Sequence, residues 1–204
     1  MLALGDSYTI GESVSEDARW PNQLAAMLRD AGVAVAAPEI VARTGWTTDE
    51  LSAELDRIGS DLVPPYDLVS LLIGVNNQYR GRSLAEYGQQ FEALLQRAMR
   101  WAGGQGALRV LSIPDWGVTP FARDDARSGA QIGAEIDAFN RLARTVCDRY
   151  GVAFIDVTES SREAAGRPEL LCADGLHPSA LEYARWASQF KQTLNRSGSA
   201  ERIR

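Results

Sequence analysis

The sequence predicts an α/β fold, a three-layer sandwich with helices on both faces of a five-stranded parallel sheet. Three observations carry that expectation. Short apolar runs suited to strands recur five times along the 204 residues. Segments with apolar residues at helical spacing separate them. The central run, Asp67-Leu68-Val69-Ser70-Leu71-Leu72-Ile73, is almost continuously apolar. A strand covered by helices on both sides buries both faces, so it lacks the alternation of a half-exposed strand. Strand–helix alternation with right-handed crossovers then gives a parallel sheet between two helical layers.

Taken in order, Leu2-Ala3-Leu4 is the first strand, and it stops at Gly5-Asp6-Ser7. Trp20, Leu24, Met27 and Leu28 recur at helical spacing. Pro21 suits the first turn of that helix, where its missing N–H has no partner to lose. Glu39 to Ala42 is the second strand. Thr48 is placed to cap a helix running to about Ile58, with Leu51, Leu55 and Ile58 on one face. Asp67 to Ile73 is the third strand. Leu84, Tyr87, Phe91, Leu94, Leu95 and Ala98 mark the face of the next helix. Leu108 to Ile113 is the fourth strand, and Ile132, Ile136, Phe139, Leu142, Ala143 and Val146 mark the helix after it. Val152 to Val157 is the fifth strand. Tyr183, Trp186, Ala187, Phe190 and Leu194 mark the last helix. Residues 1–195 read as a single domain, without internal repeat, low-complexity block or linker. Residues 196–204 read as a mobile tail.

Composition narrows the function. With 45% hydrophobic residues the chain can bury a sizeable core. A net charge of -6 argues against nucleic acid as a partner and against docking on anionic membranes. No apolar stretch approaches the roughly 18–20 residues of a spanning helix, so no membrane insertion is expected. Two cysteines, Cys147 and Cys172, are too few for a disulfide scaffold, and whether they pair is open. His177 is the only histidine, which speaks against a zinc site of several His and Cys ligands. No metal or cofactor is expected. The chain as given shows no signal peptide and reads as cytoplasmic. Its first strand begins almost at residue 1, as it would after loss of a leader, so the compartment is open, as is the oligomeric state.

In such sheets ligands bind beyond the carboxyl ends of the strands. The segments found there are Gly5-Asp6-Ser7, Arg43-Thr44-Gly45-Trp46, Gly74-Val75-Asn76-Asn77, Pro114-Asp115-Trp116 and, well after the fifth strand, Asp174-Gly175-Leu176-His177-Pro178. Together they offer the parts for acyl transfer. Ser7 is a nucleophile if a base takes its proton, and His177 is the one imidazole available. Asp174, three residues earlier, can hold one ring nitrogen and leave the other toward Ser7. The backbone N–H groups of Ser7 and Gly45 and the side-chain amide of Asn76 can face an oxyanion. Each part also has a plain reading: Ser7 as a helix cap, Gly45 as a turn glycine, Asn76 as a local turn-former.

These ordered blocks resemble the SGNH hydrolase superfamily, the GDSL esterase/lipase family. Its serine in Gly-Asp-Ser, glycine, asparagine in Gly-x-Asn and histidine in Asp-x-x-His fall on Ser7, Gly45, Asn76 and His177, with Asp174 as the acidic triad member. The resemblance spans residues 5 to 178. It implies a flavodoxin-like sandwich and a metal-free serine esterase working through an acyl-enzyme on a small-molecule ester. Two positions depart from the commonest pattern: Tyr8 stands for leucine and Asn77 for aspartate. They bear on substrate and subfamily.

Family members act on small acyl esters, lysophospholipids, thioesters and acetylated sugars. A compact chain without a large insertion favours short acyl groups. Asp6, Tyr79, Arg80, Asp115 and Trp116 are expected as substrate-binding candidates, and an aromatic, polar rim suits a sugar ester. The other classes to separate are a non-catalytic ligand-binding module on the same fold and a cysteine hydrolase built on Cys172. A flavodoxin-type binder is a further one, although Gly-Asp-Ser-Tyr-Thr-Ile only partly matches a phosphate loop.

Overall fold

The computed structural model describes residues 1–104 and 106–196. Five parallel strands form one sheet: β1 (Leu2–Gly5), β2 (Glu39–Ala42), β3 (Val69–Leu72), β4 (Leu108–Leu111) and β5 (Ala153–Ile155). Their order across the sheet is β2-β1-β3-β4-β5. β1 sits between two neighbours, with Leu2 opposite Glu39 on one side and Val69 on the other. Leu2, Leu4, Val69, Leu71 and Leu72 are buried, which accounts for the unbroken apolar runs.

Four of the helices that build the outer layers are α2 (Trp20–Asp30), α3 (Thr48–Ile58), α5 (Leu84–Trp101) and α6 (Gly129–Tyr150), and a fifth, α8 (Ala180–Arg196), ends the described chain. Three short helices follow strands: α1 (Ser7–Ile10) after β1, α4 (Val75–Tyr79) after β3 and α7 (Thr158–Arg162) after β5. α2 packs on α8, while α3 packs on α5 and α5 on α6. Trp20 stacks on Phe190 with centroids 5.7 Å apart, and Lys191 Nζ donates to Met27 O at 2.8 Å. The fold is therefore the three-layer α/β/α sandwich expected. No helix among the described residues is long and apolar enough to cross a membrane.

Several boundaries differ from the sequence reading. The third, fourth and fifth strands are shorter than their apolar runs. Ile73, Ile113 and Val157 leave the ladder yet stay buried, because an apolar run records burial rather than strand pairing. The cap of α3 is Thr47 rather than Thr48. Thr47 accepts from the third residue of the helix, and Glu50 Oε2 accepts the Thr47 N–H at 2.9 Å, a reciprocal box. Of the tail expected at 196–204, residues 197–204 lie outside the described residues. Cys147 and Cys172 are both free thiols.

Candidate active site

β1 and β3 are neighbours, but the chain leaves them toward opposite edges of the sheet. Beyond their carboxyl ends the diverging connections open a crevice, the usual ligand position in such sheets. All five segments named above contribute residues to one cavity there of about 150 Å³, joined by Tyr8, Tyr79 and Phe121.

The first segment turns sharply out of β1. A Cβ on Gly5 would strike Thr9 Oγ1 and Leu72 O, so only glycine lets the chain pass. Asp6 caps α1, its Oδ1 accepting from Tyr8 N at 3.1 Å. The Ser7 hydroxyl is thus not spent on capping, and Ser7 lines the cavity. Tyr8, buried, sets its ring edge-on to His177 with centroids 5.8 Å apart.

The second segment is strapped by α4. Gly45 has φ +89, a left-handed conformation that favours glycine. Arg80 Nη2 donates to Gly45 O at 2.6 Å, and Asn76 Nδ2 donates to Trp46 O at 2.9 Å. Thr44 Oγ1 donates to the Glu12 carboxylate on the first loop. The Asn76 amide thus makes a long-range bond rather than a local turn, and its second N–H remains for the cavity. Asn77 is wholly buried and works elsewhere: its Oδ1 accepts Thr48 N at 3.0 Å and its Nδ2 donates to Thr48 Oγ1 at 2.7 Å. A neutral amide can do both, whereas an ionised aspartate only accepts.

The last segment is a closed loop. Cys172 N donates to His177 O at 2.8 Å and Gly175 N to Cys172 O at 3.0 Å. Asp174 Oδ1 accepts the N–H groups of Leu176 at 2.9 Å and His177 at 3.0 Å. Its Oδ2 lies 2.7 Å from His177 Nδ1 and accepts Ser13 Oγ at 2.6 Å. Burial alone would raise the pKa of this carboxyl. Hydrogen bonds from Ser13, His177 and the two amides outweigh burial and hold it at about 2. Asp174 is therefore ionised at neutral pH and only accepts, so His177 Nδ1 carries the proton and Nε2 is left as the basic nitrogen.

Not every expected residue reaches the cavity. Tyr79 and Trp116 line it. Asp6 does not: it is wholly buried under α1, and burial pushes its carboxyl up to about 7. Arg80 acts behind the lining, on Gly45 O and Glu50. Asp115 is also excluded. It is buried and accepts from Gly117 N at 2.8 Å and from Arg162 Nε at 2.9 Å. Arg162 also bonds Asp137 and Glu159. Arg162→Met should therefore destabilise the fold by roughly 3 kcal/mol, since it strands the buried Asp115 charge. Urea unfolding at pH 7 reads this directly, and a change under about 0.5 kcal/mol would contradict the assignment.

The sequence reading gave no role to Ser13, Thr44, Val75, Phe121 or Leu176. Thr44, Val75 and Leu176 lay within quoted blocks. Phe121 sits in a turn-rich stretch after β4 and is held by its N–H to Gly175 O at 3.1 Å, a contact no local pattern announces. Tyr79, Trp116 and Phe121 touch one another ring to ring, with centroids 5.5 to 6.3 Å apart.

The family model described as GDSL-like Lipase/Acylhydrolase matches residues 3–185. The chain belongs to this family. Membership makes it a hydrolase. No curated protein matches the sequence. Solved structures share the fold. TesA superposes with a TM-score of 0.73 at 22% identity, over 96% of this chain and 97% of that one. A lipase/acylhydrolase from Enterococcus faecalis gives 0.73 at 19% identity, over 96% and 95%. The W215I form of Axe2, an acetyl xylan esterase from Geobacillus stearothermophilus, gives 0.70 at 19% identity, over 95% and 93%. Within the GDSL-like family, Tyr8 and Asn77 are departures with local reasons here: one packs on the His177 ring, the other ties α4 to α3.

Proposed function

We propose that this GDSL-like protein is a serine esterase for small or short-chain acyl esters. The observation that carries the reading is the convergence of Ser7, Gly45, Asn76 and the Asp174-oriented His177 on one cavity. In the first step His177 Nε2 takes the Ser7 proton as Oγ bonds to the acyl carbon. The carbonyl electron pair moves onto oxygen, toward Ser7 N–H, Gly45 N–H and the second N–H of Asn76 Nδ2. The intermediate then collapses, the C–O bond to the alcohol breaks, and the alcohol leaves with the proton from His177. Water attacks the acyl-enzyme with His177 again as base, and the acid and Ser7–OH are released.

Cavity size supports short acyl groups. The cavity measures about 150 Å³. The walls away from Ser7 are Val75, Tyr79, Trp116, Phe121 and Leu176, which suit an apolar acyl group. Tyr79 and Phe121 are 47% and 40% exposed at the mouth, so deacetylation of a sugar ester is the second reading. The long chain of a lysophospholipid or acyl thioester would have to extend past the exposed Tyr79 and Phe121 at the mouth. The cysteine alternative is disfavoured because burial raises the Cys172 thiol and its Sγ is engaged by Pro178 O at 3.2 Å.

Hydrolysis of p-nitrophenyl acetate, butyrate and octanoate is the test. The expected order has acetate and butyrate well above octanoate. Faster turnover of acetylated sugars than of butyrate would select the second reading. Absence of turnover together with absence of fluorophosphonate labelling would mean a binding module. Asn76→Ala should lower kcat by roughly 10²–10³ with KM little changed. A change confined to KM would remove Asn76 from the oxyanion site.

A further inference from the structure

Ser13 is the one non-glycine residue among the described residues with a positive φ, at +66. Serine rarely adopts that conformation, and glycine would enter it without a steric cost. Ser13 also stands at the surface, where its hydroxyl has water within reach. A strained backbone at an exposed serine calls for a specific contact made by its hydroxyl. That contact is the 2.6 Å bond from Ser13 Oγ to Asp174 Oδ2, the oxygen that also faces His177 Nδ1.

The segment carrying Ser13 hangs from the nucleophile itself. Gly11 N and Glu12 N both donate to Ser7 O at 3.0 Å. Cys172 Sγ, on the histidine loop, lies 3.5 Å from Ser13 O. A short covalent and hydrogen-bonded path therefore runs from Ser7 through Ser13 to Asp174 and His177. With Ser13 in place all four donors of the Asp174 carboxylate are supplied: two backbone amides, one imidazole and one hydroxyl. Without it, Oδ2 keeps the imidazole as its one partner.

We infer that Ser13 is a positioning residue that locks the Asp174 carboxylate and sets the distance between the Ser7 loop and the His177 loop. This inference rests on the esterase reading for its catalytic consequence, while the lock itself is a matter of ring geometry. A hydroxyl at this place, rather than a small residue of any kind, is what the lock requires.

Two variants separate hydroxyl from backbone. Ser13→Gly removes the hydroxyl and relieves the strained φ; Ser13→Ala removes the hydroxyl and keeps the strain. His177 is the only histidine, so ¹⁵N-edited NMR of the imidazole reports one ring without assignment. The wild type should show a protected, downfield Nδ1–H proton. In both variants that proton should broaden or vanish through exchange with water. On p-nitrophenyl acetate, both should lose roughly tenfold in kcat with KM unchanged, the effect of one lost charge-assisted hydrogen bond. An Nδ1–H signal and kcat that survive in Ser13→Gly would overturn the lock and make Ser13 a backbone feature only. A wild type that shows the protected proton and loses it in the variants, but hydrolyses no ester, would overturn the esterase reading and leave the lock standing.

Discussion

Ser7→Ala is expected to abolish ester hydrolysis, with kcat falling by a factor on the order of 10⁴–10⁶, while the protein folds as before. The fold should hold because α1 is capped by Asp6, and the Ser7 side chain contributes nothing to that cap. Alanine is also a good first-turn residue. Thermal unfolding within a degree or two of wild type, together with loss of both p-nitrophenyl acetate turnover and fluorophosphonate labelling, is the expected pair of results. Residual activity of a tenth or more would mean that another group attacks the ester.

Asp174→Asn should cost nearly as much, roughly 10⁴ in kcat, for a reason visible in the donor count. Four donors converge on the Asp174 carboxylate. An asparagine has one acceptor oxygen and an NH₂ group; the Leu176 and His177 N–H groups keep the oxygen, so the NH₂ faces Ser13 Oγ and His177 Nδ1. His177 then flips its tautomer to accept from the amide, and its basic nitrogen faces away from Ser7. Stability should respond to pH as well. In the folded state Asp174 is held at about 2, below its ordinary 3.8. A carboxyl lowered on folding adds stability that is complete above the unfolded value and is lost as pH falls through the folded one. The wild type should exceed the variant in stability at pH 5, and the gap should close by about pH 2. A constant gap across that range, or near-normal turnover, would show that something other than the carboxylate orients His177.

The layer architecture was legible because both-face burial leaves a plain mark: Val69 to Leu72 carries no polar alternation beyond Ser70. The crevice followed from the alternation of elements, and the residues around it from short blocks after each strand. What stayed hidden lies in single contacts across the chain. Ser13 and Asp174 are 161 residues apart, and nothing near Ser13 in sequence marks it as a partner of the histidine loop. Asp6 and Asp115 looked available because aspartate is usually at the surface; both are instead enclosed, one under a helix and one beneath Arg162. The cap at Thr47 was missed by one residue because adjacent threonines offer the same hydroxyl, and only Glu50 three places on decides between them.

The pairing of α2 with α8 bears on when the chemistry becomes available during synthesis. Ser7 is synthesised before the Asp174–His177 loop, and that loop before the helix that closes against α2 through Phe190 and Lys191. α8 supplies the cover for the Trp20 face of α2. Synthesis thus makes Ser7, the proposed nucleophile, well before His177, its proposed base. Under the proposed esterase function, turnover of a chromogenic ester would therefore report when α8 has closed against α2, a clock for late steps of folding.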